Sequence, residues 1–413
     1  MLVLMTLTHI PTRFADPFGQ PFGFVSAAEG FVLLSGFVAG MVYTQRQQRD
    51  GNEAMREAFV QRAVKLYAVQ AGLLLFVLSV VTLLGLLRQE AAVTNLVSWF
   101  LEHPLTALVS GLLLIYNPPL LDILPMYVLF MLASPLLLWH GARGGWNAIL
   151  LASAALWLCA QFGLSESLHA VLVWLVGMPV PLRETGAFEI VAWQFIWVLG
   201  LWMGSSQGAR RPAQPMPFPR SVVVAAALFA AVHLVWRHAL GQAPFGADAG
   251  LNMLYDKWRL GPLRLLDFFA LIVLAMHFGP RLVARMPSLP LLELLGRQSL
   301  PVFVAHVVLA MLVLASLGAI DPERPWRIDA ALLAACFAVL YAVARLSEAI
   351  DTRAARARER WRTRLSERRA ARALRRAQRA HPPVPSRTPP ARATPATPGG
   401  ATRPASTAHT LPR

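Results

Sequence analysis

The sequence predicts an all-α polytopic membrane protein with about ten transmembrane helices, a re-entrant or interfacial segment and a basic C-terminal tail. Three observations predict it. Apolar runs of about 17–25 residues, the length that crosses a hydrocarbon core, recur along the whole chain. Hydrophobic residues make up 56% of the 413, above the roughly 45–50% usual for soluble domains. The positive charge is also unevenly placed. Of the +16 net charge, the segment from Asp351 onward supplies most, with 16 Arg against 3 acidic residues, so the preceding body is nearly neutral.

The elements follow in order. Residues Met1–Ile10 form an apolar piece too short to cross a bilayer at 1.5 Å per residue. The second span is Phe22–Thr44, where Ser26, Ala27, Ala28, Gly30, Ser35, Gly36 and Gly40 allow close helix packing. Arg46–Lys65, with five basic and three acidic residues, reads as a surface helix in a loop. Leu66–Leu87 is the third span. A shorter run, Leu105–Tyr116, is broken by Asn117-Pro118-Pro119 and followed by Leu120–Trp139, the fourth. The broken run is open to two readings, a re-entrant segment lining a cavity or an extramembrane loop.

Trp146–Phe162 is the fifth span, and Ser165–Glu189 reads as an interfacial or re-entrant piece. Ile190–Ser206, Ser221–Leu240, Leu263–Leu282, Ser299–Leu317 and Ala330–Leu346 complete the set, separated by polar loops at Gly208–Arg220 and Gly241–Pro262. Residues 348–381 read as a basic surface helix, and the Pro/Ala/Thr-rich residues 382–413 as disordered. A basic segment beside a membrane meets anionic lipid, and nucleic acid is not expected as a partner. Cys159 and Cys336 sit in apolar runs and read as packing residues, with no metal-ligand spacing. The start has neither the basic flank nor the Ala-x-Ala site of a cleaved signal peptide.

Arg and Lys in short loops set orientation. With the Arg-rich tail in the cytoplasm, the loops Arg46–Lys65, His140–Gly145, Gly208–Arg220 and Arg281–Arg297 fall inside with five, one, three and three basic residues. Both termini are then cytoplasmic, in a multi-pass protein expected in the cell inner membrane. The exception is Gly241–Arg264, which places Lys257, Arg259 and Arg264 outside. Two accounts are open: these cations hold an anionic ligand, or they pair with Asp256 and Asp267.

Ionisable groups within apolar helices are costly and normally face a cavity. His9 ends the first apolar piece, and Glu29 lies inside the next span. A histidine is suited to take a proton near neutral pH, and a carboxylate can orient it or bind a hydroxyl. An interfacial histidine without chemistry is the other reading of His9. Ser35, between Leu34 and Gly36, reads as a packing residue rather than a nucleophile.

The local sequence resembles the OpgC-type family, named for succinylation of osmoregulated periplasmic glucans, a branch of acyltransferase family three. The carrying residues are Thr8-His9-Ile10-Pro11, Phe22-Gly23-Phe24, Ala27-Ala28-Glu29 and Phe31-Val32-Leu33-Leu34-Ser35-Gly36. They continue with Leu121-Asp122-Ile123-Leu124-Pro125-Met126-Tyr127, Leu260-Gly261-Pro262-Leu263-Arg264, and Leu295-Gly296-Arg297-Gln298-Ser299-Leu300 leading through Val302-Phe303 to His306. In the family an Arg precedes the His, at a position that falls before Met1. Upstream codons are therefore expected to complete a truncated first helix. The chain also has Ser26 where an Asp is expected before Ala-Ala-Glu.

The resemblance implies that residues 1–347 are an integral membrane O-acyltransferase domain. It implies transfer of an acyl group, succinyl among the candidates, from a cytoplasmic acyl-CoA-type thioester to a hydroxyl of a periplasmic or cell-envelope glycan. No bound cofactor and no metal are expected, the thioester being a substrate. His9 would act as general base, with Glu29 supporting it or binding the acceptor. Asp122, Tyr127 and His306 would line the same cavity, and Lys257 and Arg264 would hold an anionic donor or acceptor. A polytopic transporter and a non-catalytic relative are the alternatives. Broken helices and intramembrane charge suit a transporter, but the two halves show no internal repeat.

Overall fold

The computed structural model describes residues 1–177, 179–209 and 218–380. The disordered segment expected over residues 382–413 and most of the loop Gly208–Arg220 lie outside the described residues. The regular elements among the described residues are all helices, with no strand; one isolated bridge pairs Phe22 with Val25. The chain divides into two units, Met1–Ile350 and Asp351–Arg413.

The helices run in the order α1 (Leu2–His9), α2 (Ala15–Gly19), α3 (Ala27–Phe76), α4 (Thr82–Arg88), α5 (Ala91–Leu96), α6 (Ser98–Glu102), α7 (Pro104–Leu112), α8 (Ile123–His140) and α9 (Trp146–Gln161). They continue as α10 (Leu164–Val176), α11 (Ile190–Ala209), α12 (Arg220–Leu240), α13 (Ala249–Asn252), α14 (Pro262–Arg285), α15 (Pro290–Arg297), α16 (Ser299–Leu317) and α17 (Trp326–Ala380). Among the described residues, six runs are long and apolar enough to cross a membrane: Ala27–Arg88, Ile123–Gln161, Arg220–Leu240, Pro262–Arg285, Ser299–Leu317 and Trp326–Arg372.

The first of these runs doubles back on itself. Gly51 has φ of +89°, which a residue without Cβ adopts freely and which no helix interior contains. The Tyr43 and Phe59 rings then stack at 3.8 Å, a contact that a straight helix of this separation forbids. Arg46–Lys65 is therefore not a separate surface helix. It is the meeting of two long helical legs, whose polar ends resemble a loop in composition. The run Ile123–Gln161 likewise carries a non-helical residue, Gly144, with φ of +88°.

The core is built on α3 and α11. Gly36 and Gly40 of α3 face the α11 backbone at Trp197 and Leu201, while Gly200 and Gly204 of α11 face the α3 backbone at Leu33 and Phe37. A Cβ at Gly40 would collide with the Leu201 carbonyl, and one at Gly204 with the Phe37 carbonyl. The small residues thus let two backbones touch, which is how helices associate where no hydrophobic force separates protein from lipid. Around this seam, Trp193, Ile196, Trp197 and Leu201 are buried with Val32, Leu74 and Met126.

The broken run after α7 is tied to a distant loop. Asn117 accepts no helix position; its amide Nδ2 donates to the Leu114 and Thr185 carbonyls, and its backbone N–H donates to Glu184. The piece expected at the interface is α10, a helix without buried residues, followed by a short 3-10 turn at Leu182–Glu184. The second unit is helical through Ala380, with exposed Arg353, Arg356, Arg358, Arg360, Arg362 and Arg364.

Candidate functional site

α1 ends at His9, and the turn behind it is clamped. The Arg13 backbone N–H donates to Asp329 Oδ2 at 2.9 Å, and Arg324 reaches both Asp329 Oδ1 at 3.2 Å and the Pro11 carbonyl at 3.2 Å. Asp329 is 1% exposed, so this ion pair is shielded and fixes where His9 leaves the helix.

α3 begins with a capping box. The Ser26 hydroxyl and backbone N–H both donate to Glu29 Oε2, at 2.6 and 3.0 Å, while Ala28 N–H donates to the Ser26 hydroxyl. The second oxygen, Glu29 Oε1, accepts from Arg264 Nε at 2.5 Å. Both partners are wholly buried. Ser26, which stands where the resemblance expects an Asp, is thus the cap that holds this carboxylate.

The loop between α12 and α14 is strapped onto the bundle. The Trp193 indole and the Glu189 N–H both donate to the Trp258 carbonyl, the Trp157 indole donates to Leu260, and Gln161 donates to Arg259. The Arg259 guanidinium is held by Glu166 and Glu189. Lys257 makes no ion pair among the described residues; its ammonium lies over the Trp258 ring at 4.4 Å. Burial pulls the Lys257 ammonium below the ordinary lysine value, with Glu29 and Asp122 opposing that shift and Arg264 adding to it. The outer cations therefore do not pair with Asp256 and Asp267. Arg259 takes Glu166 and Glu189, Arg264 takes Glu29, and Asp267 accepts instead from the Phe24 N–H at 3.1 Å.

These pieces surround a cavity of about 730 Å³ lined by His9, Gln20, Ser26, Asp122, Asn252, Tyr255, Asp256, Lys257, Trp258, Arg264 and Phe303. Its size suits a small-molecule site with a few polar groups on an apolar wall. Arg264 Nη2 is buried and has no hydrogen-bond partner. It is a buried cationic donor left unsatisfied in a residue that lines the cavity and is fixed by an ion pair. Asp122, the residue before α8, accepts from the Ala187 N–H at 2.9 Å.

A second cavity, also about 730 Å³, shares Ile123 and Phe303 with the first as lining. It is more apolar, with Leu34, Val38, Leu66 and Met131 on its walls, and Tyr127, Ser35, Tyr43, Arg62 and Ser299 among its polar groups.

Of the sequence-predicted site residues, His9, Asp122, Lys257 and Arg264 meet in the first cavity. Tyr127 lines the second, where its hydroxyl donates to the Phe31 carbonyl at 3.1 Å. Glu29 lies behind Arg264, and His306 lies behind His9. His9 Nδ1 is 2.9 Å from His306 Nε2, and the rings stack with centroids 5.2 Å apart. No described hydrogen bond joins His9 to Glu29. Ser26 reads in the sequence as a packing residue and not as a cap, although Ser26-Ala27-Ala28-Glu29 has the Ser-x-x-Glu spacing of a capping box; Tyr255, Trp258 and Asn252 sit in ordinary polar loop sequence and carry no motif. Tyr255 donates to His233 Nε2, since the His233 Nδ1 proton is given to the Phe229 carbonyl.

The family model described as OpgC protein matches residues 1–352. The chain belongs to the OpgC protein family. The match covers the whole first unit, including every residue of both cavities. Membership in the OpgC family points to a membrane protein with an acyltransferase-type role in glucan modification. No curated protein and no solved structure matches the chain.

Proposed function

We propose that this OpgC-family protein is a membrane O-acyltransferase that moves an acyl group from a cytoplasmic thioester to a hydroxyl of a periplasmic or cell-envelope glycan. Ten crossings, with both termini cytoplasmic in the inner membrane, form the frame of this reading. The observation that carries it is a pair of cavities that share Ile123 and Phe303 as lining. One is the more polar and holds His9, Lys257 and Arg264; the other is more apolar and shares only Ile123 and Phe303 with it.

In this reading the glycan enters the polar cavity from outside. The acyl thioester extends its narrow arm through the apolar cavity from the cytoplasm, with Arg62 available to its phosphate end. His9 Nε2 takes the acceptor proton as the hydroxyl oxygen attacks the thioester carbonyl carbon. The C–O bond forms and negative charge moves to the carbonyl oxygen. Arg264 Nη2, unpartnered in the free protein, donates to that oxygen or to an anionic group beside it. The C–S bond then breaks, and the His9 imidazolium returns its proton to the departing thiolate. Glu29 keeps Arg264 aimed and charged, Asp122 and Lys257 bind the acceptor or an anionic acyl group, and Tyr127 bounds the donor channel. Anionic lipid at the Arg-rich C-terminal helix is a further expected partner.

The test is turnover by purified full chain in lipid, with succinyl-CoA as donor and gluco-oligosaccharides as acceptor, read as thiol release and acylated sugar. Acceptor-dependent thiol release supports the reading. Movement of a labelled glycan across vesicles without acylation favours the transporter instead.

A further inference from the structure

We propose that His306 is a positioning residue that sets the tautomer of His9, holding the His9 proton on Nδ1 and leaving Nε2 as the lone pair that faces the cavity. The inference deepens the proposed acyl transfer and rests on His9 being its base.

The argument is one of donors and acceptors. His306 Nδ1 lies 2.7 Å from the Phe303 carbonyl oxygen. A carbonyl can only accept, so the His306 proton is on Nδ1. His306 is fully buried against Phe303, and no carboxylate bonds to it among the described residues. The ring is a neutral imidazole, and its Nε2 is therefore an acceptor. His9 Nδ1, 2.9 Å away, must supply the hydrogen. A neutral His9 with its proton on Nδ1 has a bare Nε2.

The placement makes that lone pair useful. The His9 ring lines the polar cavity, while His306 lines neither cavity. His9 Nε2 makes no hydrogen bond to any described residue, and it is absent from the buried polar atoms that lack a partner, so it is open to the cavity. A histidine base often has one nitrogen fixed by a second group that selects its tautomer, and a wrong tautomer disables the base even when the ring is in place. Here the second group is another imidazole rather than a carboxylate. The choice suits an apolar wall: it orients the base without burying a second charge. The relay is anchored at its far end by the α16 backbone, because Phe303 O is one turn before His306.

The experiment is solid-state NMR of the ¹⁵N-histidine-labelled full chain in lipid bilayers, with the His9 signals identified by their loss in His9→Gln. The expected spectrum has a protonated Nδ1 and an unprotonated Nε2 on His9. His306→Leu, which removes the acceptor, should convert His9 to the Nε2–H form. With succinyl-CoA and gluco-oligosaccharides, kcat should fall about 10²-fold or more while KM changes little. His306→Gln, whose amide oxygen can accept in the place of Nε2, should restore the Nδ1–H form and most of kcat. A His9 protonated on Nε2 in the unsubstituted protein overturns the inference, and so does an unchanged His9 tautomer in a folded His306→Leu. The spectrum of the unsubstituted protein, assigned with His9→Gln, needs neither His306 variant and no turnover, so it stands even if His306→Leu does not fold. Full turnover in His9→Ala would remove the proposed base while leaving the tautomer result intact.

Discussion

Arg264 Nε meets Glu29 Oε1 at 2.5 Å across 235 residues of sequence, in a place where neither side chain reaches solvent. Removing one partner of such a pair leaves a buried charge uncompensated. Glu29→Gln should therefore destabilise the protein by about 3–5 kcal/mol. The check is the thermal midpoint of the purified chain in detergent. Glu29→Gln combined with Arg264→Met should recover part of the loss, because no unpaired charge is then left behind. A single variant as stable as the parent would show that the pair is not shielded as described.

His9→Ala tests the base directly. It should lower acyl transfer by roughly 10²–10⁴-fold with the fold intact. Equal expression and an unchanged melting profile must accompany the loss. Parental levels of acylated sugar would end the catalytic role assigned to His9.

Lys257 gives a pH signature. Its pKa is lowered, chiefly by burial, so its ammonium is present below that lowered value and lost as pH rises through it, earlier than for an ordinary lysine. Binding of an anionic substrate that depends on Lys257 should therefore weaken as pH rises, with KM climbing at a lower pH than titration of an ordinary lysine would give. Lys257→Arg stays charged throughout and should flatten the rise. The measurement is initial rate against succinyl-CoA concentration, corrected for uncatalysed thioester hydrolysis. A pH-independent KM in the parent chain would exclude Lys257 from anion binding.

The seam of α3 and α11 makes a prediction about folding. Gly204→Leu places a side chain against the Phe37 carbonyl, where the structure has no room. Overpacking of this kind costs at least about 1–3 kcal/mol. The yield of monodisperse protein after detergent extraction should fall sharply. Gly279→Leu, at a helical glycine with open space around its Cβ, should extract like the parent.

Much of this was legible in the chain. Runs such as Ser221–Leu240 and Ser299–Leu317 match α12 and α16 closely, because twenty apolar residues admit few other structures. Lys257 and Arg264 stood out because they break the charge rule for outer loops, and His9 because it ends an apolar piece. Pairing was not legible. His9 and His306 are 297 residues apart, and nothing local in either helix specifies the other. The same is true of Glu29 and Arg264, and it is why the pairing considered for the outer cations, one of two open accounts, was with Asp256 and Asp267, which are nearer in sequence. Gly51 was hidden by its polar surroundings, where a tight reversal and a surface loop have similar composition. Gly36 and Gly40 were readable as small residues, but their partners Gly200 and Gly204 could be matched only once α3 and α11 lay side by side.

The wall of Ile123 and Phe303 has a consequence for the cell's energy supply. It is the lining that the two cavities share. If the cavities open to opposite faces of the membrane, the electrical potential drops almost entirely across that wall. Each elementary charge leaking through would dissipate about 2.3 kcal/mol per 100 mV. The bulk and apolarity of Phe303 then act as insulation, admitting a reacting carbonyl between substrates while excluding hydrated protons. Phe303→Ala should let protons equilibrate across proteoliposomes loaded with a pH-sensitive dye, where the parent chain holds the gradient.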